Sequence, residues 1–260
     1  MIKLVLSDMD GTLVKSNFEI PSEVDGIFKQ LLDKGVYCGI ATGRSLGSLK
    51  RDFKKIFSEL TIIAENGAVI CHKGKIIHLE TTDTSVIQSI RAYIDGRYCL
   101  VASGLKMAYI EKEFAFALPI LEHHFPAVEM VDDLCLVDDE ILEISIYLPD
   151  GNAESFAKEL APYKENYTVV YSGSDFIDVF AKDLNKGKAL QKLQELLHIS
   201  KEETMAFGDY MNDYEMLKNA GESYAVANAV EPVKKVAKHV IGSNDELAVI
   251  QTIKEVFELK

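Results

Sequence analysis

Short apolar runs that end abruptly in polar clusters recur along this 260-residue chain, and helical patterns separate them. The first run (Ile2, Leu4, Val5, Leu6) stops at Asp8. After Ile20-Pro21-Ser22, Val24, Ile27, Phe28, Leu31 and Leu32 follow at helical spacing up to Gly35. Tyr37–Ala41 is a second buried strand ending in Thr42-Gly43-Arg44-Ser45, and Leu46, Leu49, Phe53, Ile56 and Phe57 outline a second helix. Thr61–Ala64 runs into Glu65-Asn66-Gly67. Ala68–Cys71, the turn His72-Lys73-Gly74 and Lys75–Leu79 then spell a hairpin. Strands alternating with helices in this way predict a doubly wound parallel α/β sheet.

The end of the first run carries chemistry. Asp8-Met9-Asp10-Gly11-Thr12 places two carboxylates one residue apart at the mouth of a strand, beside a glycine that lets the backbone turn sharply. Such carboxylates repel each other unless a proton or a cation relieves them. A hard cation such as Mg²⁺, shared with a phosphate, suits them. The pattern points to phosphoryl transfer, with one Asp as nucleophile and the other as acid and base.

From residue 82 to 181 the pattern changes. Helical stretches (86–94 and 153–161) sit among strands such as Ile141–Tyr147 and Tyr167–Ser172, and Glu143 and Ser145 alternate with apolar neighbours. This predicts an inserted α+β domain over 82–181, between the two parts of a core domain at 1–81 and 182–260. The first pattern returns with a helix through Lys188, Leu190, Leu193 and Leu197. The strand Met205–Phe207 then ends at Gly208-Asp209. A helix through Met216 and Leu217, a strand at Tyr224–Val226 and a helix ending at Phe257 complete the chain.

Bulk properties narrow the function. The net charge is −13 and no basic stripe is visible, which argues against nucleic-acid partners. No apolar run approaches a membrane span and the N-terminus lacks a signal-peptide pattern. Cys38, Cys71, Cys99 and Cys135 are scattered without a CxxC pair, as expected of thiols in a reducing cytoplasm. His123-His124 has no metal-ligand spacing and is expected to be structural or solvated.

Four polar clusters stand at strand ends or helix starts: Asp8-Met9-Asp10, Thr42-Gly43-Arg44, Asn185-Lys186-Gly187-Lys188 and Gly208-Asp209-Tyr210-Met211-Asn212-Asp213. In order and type they resemble the four motifs of the haloacid dehalogenase-like (HAD) superfamily. NKGxAL with GDxxND resembles its Cof-type sugar-phosphatase branch, across the whole chain. The resemblance implies a Rossmann-like HAD core with an inserted α+β cap closing over a small phosphomonoester. It further implies that Asp8 is the nucleophile and Asp10 the acid and base. Mg²⁺ would be held by the Asp8 and Asp209 carboxylates and the Asp10 backbone carbonyl, with Asp213 steadying its water shell. The Thr42 hydroxyl, the Gly43 and Met9 amides and the Asn212 side chain would hold the phosphoryl oxygens. Lys186 would supply positive charge, with Lys188 the rival two residues away.

Some assignments stay open in the sequence. Arg44 suits either substrate contact or a surface ion pair. Asn66 fits both a hairpin turn and a loop facing the cap. Tyr210 and Met211 replace the small residues of relatives and narrow the mouth of the site or pack under the cap. The second Asp, Asp10, argues against a dehalogenase, which has no alkoxide to protonate. A phosphomutase or phosphotransferase shares the aspartyl-phosphate half-reaction and is the alternative. A non-catalytic phosphometabolite-binding protein is disfavoured by the completeness of the motifs.

Overall fold

Strand β1 (Leu4–Ser7) has four buried residues in succession, the pattern of a strand covered on both faces. It lies inside a sheet for that reason. The computed structural model describes residues 1–94, 96–125, 127–171 and 174–259. Helix α1 (Val24–Asp33) follows, then β2 (Tyr37–Ala41), α2 (Leu46–Asp52), β3 (Thr61–Ala64), β4 (Val69–His72) and β5 (Lys75–Leu79). Next come α3 (Ser85–Ile94), β6 (Cys99–Gly104), β7 (Ala108–Glu111), α4 (Leu118–His124), β8 (Val128–Val131), β9 (Ile141–Tyr147), α5 (Ala153–Glu159), β10 (Tyr167–Tyr171) and β11 (Phe176–Ala181). Helix α6 (Lys186–Leu197), β12 (Thr204–Gly208), α7 (Tyr214–Lys218), β13 (Glu222–Ala225), α8 (Glu231–Val236), β14 (His239–Val240) and α9 (Ala248–Phe257) finish the order.

Two units emerge: Met1–Leu79 with Asn185–Lys260, and Glu80–Leu184. Their edges fall two or three residues from the 81/82 and 181/182 boundaries expected above. The first unit carries an eight-stranded sheet in the order β14-β13-β12-β1-β2-β3-β4-β5. It is parallel from β14 to β3, and β4 and β5 add an antiparallel hairpin at one edge. The hairpin turns at Lys73 and Gly74, both at positive φ (50° and 74°), the backbone that a two-residue turn needs. Leu4, Leu6, Phe28, Leu31, Phe53 and Phe207 are wholly buried in its core.

The second unit is a six-stranded sheet in the order β10-β11-β9-β6-β7-β8, antiparallel except for β7 with β8. Alternate strand residues enter two clusters, as the strand period requires. Leu100, Ala102, Ile144 and Ile146 pack with Val86, Ile90 and Phe156 from α3 and α5. Cys99, Val101, Ala108 and Ile110 pack with Leu121 of α4.

The helix expected through Phe57 stops at Asp52. Phe53 takes φ −107°, and Phe57–Glu59 forms a separate 3₁₀ turn. Phe53 and Ile56 are buried all the same, because a turn can face the core as well as a helix can. The helix expected over 153–161 ends at Glu159 and is followed by a 3₁₀ segment starting at Ala161 with a proline in its first turn. Of the strand expected over Tyr167–Ser172, β10 covers Tyr167–Tyr171, and Ser172 lies outside the described residues.

Candidate active site

Three neighbouring parallel strands, β12, β1 and β2, end side by side. Asp209, Asp8 and Thr42 follow their carboxyl ends, the edge where open α/β sheets bind ligands. Lys186 joins them from the first turn of α6. That helix starts where it does because the Asn185 side chain accepts a hydrogen bond from the Lys188 amide at 2.9 Å. A cavity of about 430 Å³ opens here, lined by Asp8, Asp10, Thr42, Gly43, Arg44, Asn66, Asp209, Tyr210 and Asn212.

The loop after β1 is held tightly. Met9 carbonyl accepts from the amides of Thr12, Leu13 and Val14 at 3.2, 3.0 and 2.8 Å. Gly11 sits at φ 81°, and a Cβ there would meet Asp209 Oδ2 at 2.5 Å, so glycine is required twice over. Two asparagines brace the same loop from the far end of the chain. Asn228 Nδ2 donates to the Gly11 carbonyl at 2.7 Å and Asn244 Nδ2 to the Val14 carbonyl at 2.9 Å. Neither residue stood out in the sequence, because an asparagine in a loop signals a turn wherever it occurs.

Lys186 is the charged centre of the site. It is fully buried, and its Nζ donates to Asp8 Oδ1 at 2.6 Å and to Asp213 Oδ1 at 2.7 Å. Burial works to lower its pKa, but the carboxylates of Asp8 and Asp213 outweigh it and hold the ammonium charged. Burial pushes Asp8 up to about 8, and Asp213 and Asp209 add repulsion that Lys186 only partly offsets. Asp209 is likewise raised by burial and by Asp213, against the Thr12 hydroxyl, which donates to its Oδ1 at 2.8 Å. Lys188 is exposed on α6.

Asp213 has both oxygens engaged. Oδ1 receives Lys186, while Oδ2 receives the amides of Asp209 and Tyr210 at 3.0 and 3.2 Å. It lies in a 3₁₀ turn directly before α7. Ligand oxygens of Asp8, Asp209 and Asp213 lie within 4.8 Å of one another. A cluster of hard carboxylate oxygens, two of whose members are raised by burial and mutual repulsion, fits a hard divalent cation.

The remaining expected residues line the cavity mouth. Thr42 is buried, and its hydroxyl accepts from the Arg44 amide at 3.2 Å. A Cβ on Gly43 would come within 3.1 Å of the Asn66 side chain. Asn66 adopts φ 51° in the 3₁₀ turn between β3 and β4, and its Oδ1 accepts from Asn212 Nδ2 at 3.2 Å. It is therefore a hairpin-turn residue that also lines the cavity. Arg44 forms an ion pair with Asp10, at 2.6 Å between Nη2 and Oδ1, and a second with Asp52 at 3.1 Å. Tyr210 and Met211 are exposed. Met9 is completely buried, and the Asp10 carboxylate faces Arg44, outside the carboxylate cluster.

One titratable neighbour escaped the sequence. Glu65, at φ 50°, donates its amide to the Arg44 carbonyl at 3.1 Å. Burial raises its carboxyl to about 7, with the Leu46 amide opposing. Only the fold shows that this turn residue is half-buried.

Among the described residues no helix is long and apolar enough to cross a membrane. A family model described as haloacid dehalogenase-like hydrolase matches residues 5–253. The chain is 28% identical to the 5-amino-6-(5-phospho-D-ribitylamino)uracil phosphatase YbjI of Escherichia coli (strain K12), covering 99% of this chain and 97% of that protein. It is 29% identical to the HMP-PP phosphatase of Cronobacter sakazakii, covering 96% and 93%. Among solved structures, TM0651 from Thermotoga maritima superposes with a TM-score of 0.87 at 26% identity, covering 98% and 97%. SMU.1108c from Streptococcus mutans UA159 gives 0.84 at 30% identity, covering 99% and 100%. With the strand-end cluster of Asp8, Asp209 and Lys186 behind these matches, the chain belongs to the haloacid dehalogenase-like hydrolases, and the two curated relatives it matches over nearly their whole length are phosphatases.

Proposed function

We propose that this hydrolase is a Mg²⁺-dependent phosphatase that cleaves small organic phosphomonoesters, sugar phosphates above all, through an aspartyl-phosphate on Asp8. The observation that carries this is the Asp8 carboxylate at the floor of a polar cavity, 2.6 Å from the buried Lys186 ammonium. A carboxylate so placed can approach phosphorus in line while fixed positive charge faces the equatorial oxygens.

An Asp8 oxygen forms the new bond to phosphorus as the ester P–O bond breaks, and Asp10 gives its proton to the departing alkoxide. Asp10 then takes a proton from the water that attacks the phosphoaspartate, which releases inorganic phosphate and restores Asp8. The Thr42 hydroxyl, the Gly43 and Met9 amides, Asn212 and Lys186 hold the phosphoryl oxygens through both steps. Asp8, Asp209 and the Asp10 carbonyl would hold Mg²⁺, with Asp213 setting the 209–210 backbone and the metal's water shell. Bound there, the cation supplies the positive charge that Lys186 alone does not provide.

The E. coli relative's name specifies an aminouracil whose ribityl chain carries the phosphate, so esters of that kind join sugar phosphates at the head of the candidates. The residues between the two parts of the core would form a cap that selects among them. Four free cysteines, three of them buried, support a reducing cytoplasmic setting. The test is phosphate release from a panel of sugar, polyol, nucleotide and cofactor phosphates, with Mg²⁺ and with chelator. Metal-dependent release peaked on a few members is expected. Isomerised substrate without free phosphate would point to a mutase instead.

A further inference from the structure

The acid/base residue of the proposed reaction is poorly held by its own surroundings. Asp10 follows β1 in a loop, and its side chain is 48% exposed. Among the described residues, the side chain that hydrogen-bonds its carboxylate is Arg44, with Nε donating to Oδ2 at 2.8 Å and Nη2 to Oδ1 at 2.6 Å. Two parallel N–H bonds fix the carboxylate's plane as well as its place. Arg44 is less exposed, at 28%, and its third nitrogen, Nη1, donates to Asp52 Oδ2 at 3.1 Å. Asp52 is the most sheltered of the three, at 16%, and sits at the last position of α2. The backbone of Arg44 is pinned too. Its amide donates to the Thr42 hydroxyl, and its carbonyl accepts from the Glu65 amide. With its backbone pinned and Nη1 held by Asp52, the side chain needs less further ordering to clasp Asp10 than a free arginine would.

We propose that Asp52 is a positioning residue for the reaction, acting through Arg44 to hold the Asp10 carboxyl at the mouth of the cavity. The proposal rests on the role given to Asp10 above. Asp52 reaches neither the cavity lining nor the carboxylate cluster. Its effect must therefore pass through the guanidinium.

The experiment compares kcat/KM of Asp52→Asn for two substrates: an alkyl sugar phosphate, whose alkoxide needs a proton to leave, and p-nitrophenyl phosphate, whose phenolate does not. The expected result is a fall of about tenfold or more on the sugar phosphate and less than about twofold on the aryl ester. Asp52→Glu, which keeps a carboxylate for Arg44, restores most of the sugar-phosphate activity. Equal losses on both substrates, or no loss on either, would overturn the proposal. Should Asp52→Asn melt abnormally, Arg44→Lys, which keeps the charge but loses the paired contact, takes its place with the same expectation. Asp10→Asn is measured alongside. If it shows no preference between the leaving groups, the role of Asp10 itself fails. A selective loss in Asp10→Asn but not in the Asp52 and Arg44 variants overturns the positioning proposal alone.

Discussion

Lys186 Nζ lies 2.6 Å from Asp8 Oδ1, and the lysine is entirely removed from solvent. A buried ammonium of this kind is tolerated because two carboxylates, Asp8 and Asp213, receive it. Removing it strands both. Lys186→Met should therefore cost about 3–5 kcal/mol of stability and abolish phosphate release. Urea unfolding and a phosphate assay check the two effects separately. A stable but inactive variant would mean that the lysine serves chemistry with little structural role.

Asp8→Asn keeps the volume and removes the proposed nucleophile. Phosphate release should drop to background while the melt stays cooperative, and no phosphoenzyme should be trapped by acid quench from labelled substrate. Full turnover in this variant would rule out the covalent route.

The metal-free protein should lose stability as pH rises. In the metal-free protein burial and the neighbouring carboxylates shift Asp8 from near 3.8 in the unfolded chain up to about 8, against the pull of Lys186, and Asp209 is shifted the same way. Stability from these protons is complete below about pH 4 and is lost as pH climbs through about 8. A cation among these carboxylates removes their repulsion. Thermal melts should show Mg²⁺ raising Tm more at about pH 8.5 than at about pH 5.5. An equal or reversed shift would place the ion elsewhere.

Glu65 offers a test of the second loop. Its carboxyl ionises near 4.5 when unfolded and about 7 when folded. Its contribution is thus complete below about 4.5 and lost as pH rises through about 7. Glu65→Gln keeps an oxygen for the Leu46 amide, so it should be more stable than the parent at about pH 8, by on the order of 1 kcal/mol, and no better at about pH 4. Paired melts at the two pH values decide it.

Gly11→Ala should be damaging although it adds one methyl. The left-handed backbone costs about 1–2 kcal/mol, and the new Cβ would press on Asp209 Oδ2 at 2.5 Å. Activity should fall further than stability, since the displaced oxygen belongs to the carboxylate cluster. Calorimetry and Mg²⁺ titration of activity measure both.

The α/β core was legible because strand ends and motifs coincide. Asp8, Thr42 and Asp209 each terminate an apolar run, and parallel pairing then places them together. The second unit was far less legible. Strands β6, β7 and β11 sit beside helices of similar apolarity, and β8 (Val128–Val131) is a half-exposed edge whose pattern favours no element. Long-range partners also escaped notice. That Asp52 meets Arg44, or Asn228 the Gly11 carbonyl, depends on side chains meeting across loops, and spacing along the chain carries no record of it.

The position of β1 between β2 and β12 has a consequence for how the protein is made. Leu4 pairs with Thr204, so the strand that presents Asp8 must wait for a neighbour about 200 residues downstream. At ribosomal rates of about 5–20 residues per second, that wait lasts roughly 10–40 s. For most of it Asp8 lacks Lys186, and Asp209 and the bracing Asn228 and Asn244 follow β12 in the chain. The assembled site therefore arrives late, with β12 and the segments that follow it, and a truncated translation product reaching only as far as β11 would lack Lys186, Asp209 and Asp213.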